Sequence, residues 1–224
     1  MGRGRLLGID ALYDQYRADP SFDDLRRPNI KLAPGVGVRT RPAAMLLGEA
    51  PGATENLRGR PFCGPSGRVL ADLMDGADLR IAERTEYADD GIGNAGDVVW
   101  AANAWITNVM KYHPLGNRTP SAREIEACKP YIQKEWGALG RPRVIVGIGA
   151  VAKHCIAPDA GTLSEIAGKP ILLRDRRTYF VPMLHPAYGL RRASVRPVMA
   201  RQWMHFGEWM LREGIIDEFG NPQH

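Results

Sequence analysis

Residues Ala43–Met74 read AAMLLGEAPGATENLRGRPFCGPSGRVLADLM. The apolar run at the front, AAMLLG, has the length and composition of a buried strand. The tail, SGRVLADLM, reads as a helix that starts near Pro65 and ends at about Gly76, because Pro fits the first turn of a helix and Gly its end. Between them lies a stretch far longer than a plain connector needs. It is crowded with Gly and Pro, several Arg, the carboxylate of Glu49 and the single aromatic ring of Phe62. Strand, long loop and helix form the opening unit of an alternating α/β chain, with a loop built to hold something.

The same alternation continues outward. AWITNVM (residues 104–110), RVIVGIG (143–149) and TYFVPML (178–184) read as three more buried strands. SAREIEACKPYIQKEWGAL (121–139) is the clearest helix: Ser121 and Glu124 have capping-box spacing, and Ile125, Cys128, Ile132, Trp136 and Leu139 recur on one face. AVAKHCI (150–156) is a short helix, and a last helix runs from about Val195 to Arg212. Residues 1–40 read as an amphipathic helix around IDALYDQY followed by an irregular segment, and residues 82–100 as an inserted polar loop. Strands alternating with helices predict an α/β domain with a central four-stranded parallel sheet covered on both faces. The whole of 1–224 is expected to be one such domain.

The chain has 224 residues, 44% of them hydrophobic, which suits a globular protein with a real core. No apolar run approaches membrane-spanning length, and MGRGRLLGIDALYDQY lacks a signal-peptide core. A soluble, cytoplasmic protein is expected. The formal charge is +5 and the basic side chains are mostly Arg, which grips phosphate with paired hydrogen bonds. That balance fits a nucleic-acid partner and fits a solvated basic surface equally well. Cys63, Cys128 and Cys155 form neither a disulfide framework nor a CxxC pair. His113, His154 and His205 have no metal-binding spacing, so no metal is expected.

Ligands of parallel α/β sheets bind beyond the carboxyl ends of the strands. That rule brings three loops to one edge: the GEAPG loop, the stretch after Asn108, and HPAYGLR (residues 185–191). Gly48 and Gly52 let backbone approach a ligand closely. Phe62 can offer a flat face to a base, or can be a core residue. Ser66 and Gly67 stand at a helix start whose amides can hold a phosphate. Asn108 can donate and accept at once, which suits a pyrimidine edge, or can cap a turn. His185 can hydrogen-bond a developing oxyanion, or can be a satisfied half-buried imidazole.

Taken in order, GEAPG…GRPFCGPSG, ITNVMKYHPLGNRTPSAREIEACKPYI and HPAYGLR resemble the motifs of the uracil-DNA glycosylase superfamily, most of all its family-four type. The likeness spans roughly Ala43 to Arg192. It implies a three-layer α/β/α sandwich and a hydrolase that flips uracil out of DNA and cuts its N-glycosidic bond in base-excision repair. Matched by position, Phe62 stacks on the flipped base, Asn108 reads its polar edge and His185 steadies the departing base. Glu49 and Gly52 lie in the motif facing the sugar and the attacking water. Leu190, Arg191 and Arg192, with Ser66 and Gly67, fall where DNA is held. The implied partner is DNA containing uracil or another damaged or modified base, bound by a monomer.

The chain also departs from that family. Family-four proteins carry a four-iron, four-sulfur cluster on four cysteines, two of them N-terminal. Residues 1–40 contain no Cys, Tyr112 stands where the third is expected, and only Cys128 matches the fourth. No cluster and no other cofactor is expected. The usual HPSxLLR appears as HPAYGLR, so Ala187 lacks a hydroxyl and Gly189 a bulky side chain, leaving Tyr188 or Leu190 as a wedge. A rival reading comes from Gly147, Gly149 and Ala152, whose G-x-G-x-x-A spacing matches a dinucleotide-binding turn of an NAD(P) oxidoreductase. No acidic residue clearly ends a following strand, so a tight strand-to-helix turn is the reading preferred here.

Overall fold

The computed structural model describes residues 8–76, 103–218 and 220–223. The inserted loop expected at 82–100 lies outside the described residues. Four strands pair in parallel at the centre of the sheet: β3 (Ala104–Asn108), β2 (Ala44–Gly48), β4 (Val144–Ile148) and β6 (Tyr179–Met183), in that spatial order. Every residue of β2, β3 and β4 is buried, as the unbroken apolar runs require of strands covered on both faces. The expected central four-stranded parallel sheet is present and is extended at both edges. Two-residue strands, β1 (Val36–Gly37) and β5 (Ile171–Leu172), add antiparallel edges, giving a mixed sheet of six.

Side chains alternate between the two faces along each strand. Ala44 and Leu46 of β2 join one core with Ile106, Val146 and Val181, against helices α3 (Pro65–Asp75) and α8 (Arg196–Arg212). Met45 and Leu47 point the other way, into a second core with Trp105, Ile145 and Phe180. That core is closed by α1 (Ile9–Ala18), α4 (Ala122–Ala138) and α5 (Ala150–Ile156). The result is a three-layer sandwich. No described helix is long and apolar enough to cross a membrane.

Helix α4 begins at the expected capping box: Ser121 Oγ accepts from Glu124 N at 3.3 Å, and Glu124 Oε2 accepts from Ser121 N at 2.7 Å. Arg118 holds the same carboxylate with two hydrogen bonds of 2.8 and 2.7 Å, and Glu124 titrates at about 2 in consequence. Of the face expected to be buried, Trp136 is only half-buried, its indole donating to Pro142 O at 3.1 Å. Two short helices interrupt stretches read as loops, α2 (Ala53–Arg58) and α7 (Pro186–Arg191), and a third, α6 (Leu163–Ile166), lies between α5 and β5. Helix α7 changes the reading of HPAYGLR, because Leu190 and Arg191 project from a helix that His185 caps.

Candidate active site

In-register pairing puts the last residues of the central strands side by side: Gly48 opposite Asn108, and Ile148 opposite Met183. Beyond them opens a cavity of about 620 Å³ lined by Glu49, Gly52, Phe62, Ser66, Asn108 and His185, with Leu190 and Arg191 at one wall. The ring, the amide and the imidazole therefore come from three distant segments to one space.

Glycine makes this convergence sterically possible. A Cβ on Gly48 would lie 2.3 Å from Asn108 Oδ1 and 2.4 Å from Phe62 Cζ. Gly48 is thus the floor on which amide and ring meet, beneath the cavity rather than lining it. The backbone of Phe62 has φ of +50°, a strained region for an aromatic residue. Its bend is braced from two sides. Gly67 packs so tightly that a Cβ would sit 1.6 Å from Phe62 O, and Glu55 Oε1 accepts from Gly64 N at 2.8 Å. Phe62 is 5% exposed within the core and also lines the cavity.

Asn108 is buried at the end of β3, and among the described residues no group hydrogen-bonds its side-chain amide. Its donor and acceptor are both available to a ligand. His185 stands as the N-cap of α7, with Nδ1 accepting from Ala187 N at 3.1 Å. An accepting Nδ1 places the ring proton on Nε2. Burial, aided by the charge of Arg191, lowers the imidazole to about 4, so the ring is neutral near pH 7. The Phe62 and His185 rings lie 6.2 Å apart at 31°. Gly149, at φ +95°, gives the ring its space, since a Cβ there would come within 3.2 Å of His185 Cδ2. That approach accounts for Gly149, and the Phe180 ring, 2.4 Å from where a Cβ on Gly147 would sit, accounts for the other glycine of the G-x-G-x-x-A run. Burial alone raises the carboxyl of Glu49 above its ordinary value.

Other expected residues fall differently. Leu190 is exposed at the cavity wall, whereas Arg192 is exposed and outside the lining. Gly67 acts under Phe62 and is not part of the lining. Residues not foreseen include Glu55, which braces the Phe62 loop and lines the cavity, and the far wall formed by Asn117, Arg118 and Thr119. A carboxylate inside a Gly- and Pro-rich loop was the available signal for Glu55. The far wall left none, because it follows a 3-10 turn with positive φ at Gly116 and Asn117.

The iron–sulfur cluster implied by the family-four likeness fails a test on the donors. Four thiolates are needed and the entire chain has three cysteines. Cys128, the one matching residue, is fully buried, with Sγ 3.5 Å from the Tyr16 hydroxyl and its thiol pushed up to about 11 by burial. Tyr16 stacks on Phe22 at 4.2 Å and meets Tyr131 edge-on at 4.9 Å and Tyr112 at 5.8 Å. Aromatic packing fills the surroundings of this thiol. Among the described residues, no group of three or more His, Cys, Asp or Glu could hold a metal ion.

A three-layer sandwich with its cavity beyond the carboxyl ends of the parallel strands has the architecture of an α/β enzyme. The sequence profile of the uracil DNA glycosylase superfamily matches residues 34–206. The type-4 uracil-DNA glycosylase of Pyrobaculum aerophilum is 32% identical over 196 residues, covering 84% of this chain and 86% of the relative. That of Archaeoglobus fulgidus is 29% identical over 191 residues, covering 83% and 85%. A type-5 uracil-DNA glycosylase of Thermus thermophilus is 30% identical over 119 residues, about half of each chain (52% and 50%). The chain belongs to the uracil-DNA glycosylase superfamily.

Proposed function

We propose that the chain is a DNA glycosylase that draws uracil out of DNA and hydrolyses its N-glycosidic bond, as the first step of base-excision repair. The observation that carries this reading is the cavity shared by Phe62, Asn108 and His185 beyond the ends of the parallel strands. Extrusion costs a few kcal/mol of stacking and pairing, which the pocket repays by burying the base. Phe62 stacks on the ring, and Asn108 pairs with the adjacent carbonyl and imide N–H that mark uracil.

Breaking the bond leaves negative charge on the base and positive character on the sugar. A neutral His185 donates Nε2–H to the oxygen that gains charge, and its preset orientation costs nothing during the reaction. Glu49 lines the cavity at the start of the loop after β2 and is less acidic than an ordinary carboxyl, which supports a role in orienting water or opposing the sugar's charge. Arg191 and Arg192, with the first amides of α3 at Ser66 and Gly67, take the flanking phosphates. One chain supplies every group named, which supports a single-domain, monomeric enzyme. Its three cysteines form no disulfide, which fits the reducing cytoplasm.

Ala187 and Gly189 favour a second reading, in which the same cavity accepts other altered bases. One assay separates the two. Oligonucleotides carrying uracil, hypoxanthine, xanthine or hydroxymethyl pyrimidines are incubated with the protein and cleaved at abasic sites. Uracil strands are expected to be cut fastest. Intact uracil strands beside a cut at another base would replace the first reading with the second.

A further inference from the structure

Behind the cavity lies a polar group that the chemistry above does not use. The side chains of Lys111 and Glu135 are 1% and 0% exposed, with Nζ 2.8 Å from Glu135 Oε2. Lys111 Nζ also donates to Thr107 Oγ1 at 2.6 Å and to the backbone carbonyl of Asn108 at 2.5 Å. All three protons of the ammonium are spent. Glu135 Oε1 in turn accepts from the indole of Trp105 at 2.8 Å and from the Tyr13 hydroxyl, which itself accepts from Gly35 N at 2.7 Å.

The surroundings are apolar: Trp105, Met45, Cys128 and Ile132 belong to the same core. Burying an ion pair there costs desolvation that an apolar pair of equal size avoids, so stability is a poor reason for it. What an apolar pair cannot supply is direction. Lys111 folds back three residues onto Asn108 O, the carbonyl at the point where β3 ends. The same turn is tied to the first motif, with Val109 N donating to Gly48 O at 2.9 Å and Met110 N to Glu49 O at 3.0 Å.

We infer that Lys111 and Glu135 are positioning residues for base recognition: their buried pair fixes the peptide that follows Asn108 and thereby aims its amide at the extruded base. The inference rests on the base-reading role given to Asn108 above.

A double-mutant cycle tests it. The pair variant Lys111→Met/Glu135→Gln removes both charges together, so neither is stranded. It is made alone and in an Asn108→Ala background. Single-turnover cleavage of a uracil oligonucleotide is measured for all four proteins, beside DNA affinity and thermal melting. In the wild-type background the pair variant should lose about tenfold or more in cleavage rate with DNA affinity little changed. In the Asn108→Ala background the same change should cost less than about threefold. Equal losses in both backgrounds, or no loss, would overturn the inference. An undiminished rate in Asn108→Ala alone would instead overturn the base-reading role and the inference with it. Should the pair variant not fold, Thr107→Val takes its place, removing one acceptor of the ammonium. It should cost about threefold, again only where Asn108 is present; an equal cost in both backgrounds, or none, overturns the inference.

Discussion

At the scale of single residues, the site depends on what is missing as much as on what is present. Gly48 has no side chain where the amide of Asn108 and the ring of Phe62 meet. Gly48→Ala would push a methyl into both, and displacement of reacting groups by about 1 Å costs on the order of a hundredfold in rate. Cleavage of uracil DNA by Gly48→Ala should fall by about that factor, while urea denaturation shows a loss of about 1–3 kcal/mol. His185 yields a pH prediction. Its folded value, about 4, lies below the unfolded one near 6.5, so the unfolded chain takes up the proton first as pH falls. The neutral ring's contribution is fully present above pH ~6.5 and drains away toward pH ~4. Denaturation at a series of pH values should show wild type losing stability across that window faster than His185→Gln, with a constant difference between them above pH ~7.

At the scale of elements, α1 does the work of a wedge. Tyr13 and Tyr16 reach from it into the second core, and Tyr16 touches Phe22, Tyr112, Tyr131 and Cys128 while accepting from Lys111 N at 3.1 Å. Tyr16→Leu keeps apolar bulk but loses the ring contacts and strands a buried N–H. It should cost about 2–4 kcal/mol by urea denaturation. This scale also shows what sequence discloses. The central strands are legible because strands buried on both faces are unbroken apolar runs, and α4 because its capping box and apolar stripe agree. The edge strands β1 and β5 are two residues each, too short for any period to register. Helix α2 hides in a loop rich in Gly and Pro, and α7 in six residues after a capping His185.

At the scale of the whole molecule, the order of three motifs and the rule that ligands sit beyond strand ends locate the cavity before any coordinate is known. The Lys111–Glu135 pair was not legible. Lysine is almost always a surface residue, and a partner 24 residues away in sequence leaves no local trace. The proposed grip on DNA can be tested at this scale too. Arg191 and Arg192 follow one another out of α7, one at the cavity wall and one on the exposed side. Replacing each by Ala should lower the slope of log affinity against log salt by about 0.9 on duplex or about 0.7 on single strands, read by titration at several salt concentrations. The aromatic packing around Cys128 has a practical result. With tyrosine rings where redox-active iron would be vulnerable, the protein should work as well after dialysis against chelators and brief exposure to peroxide as before. Base removal would then not depend on the supply of iron.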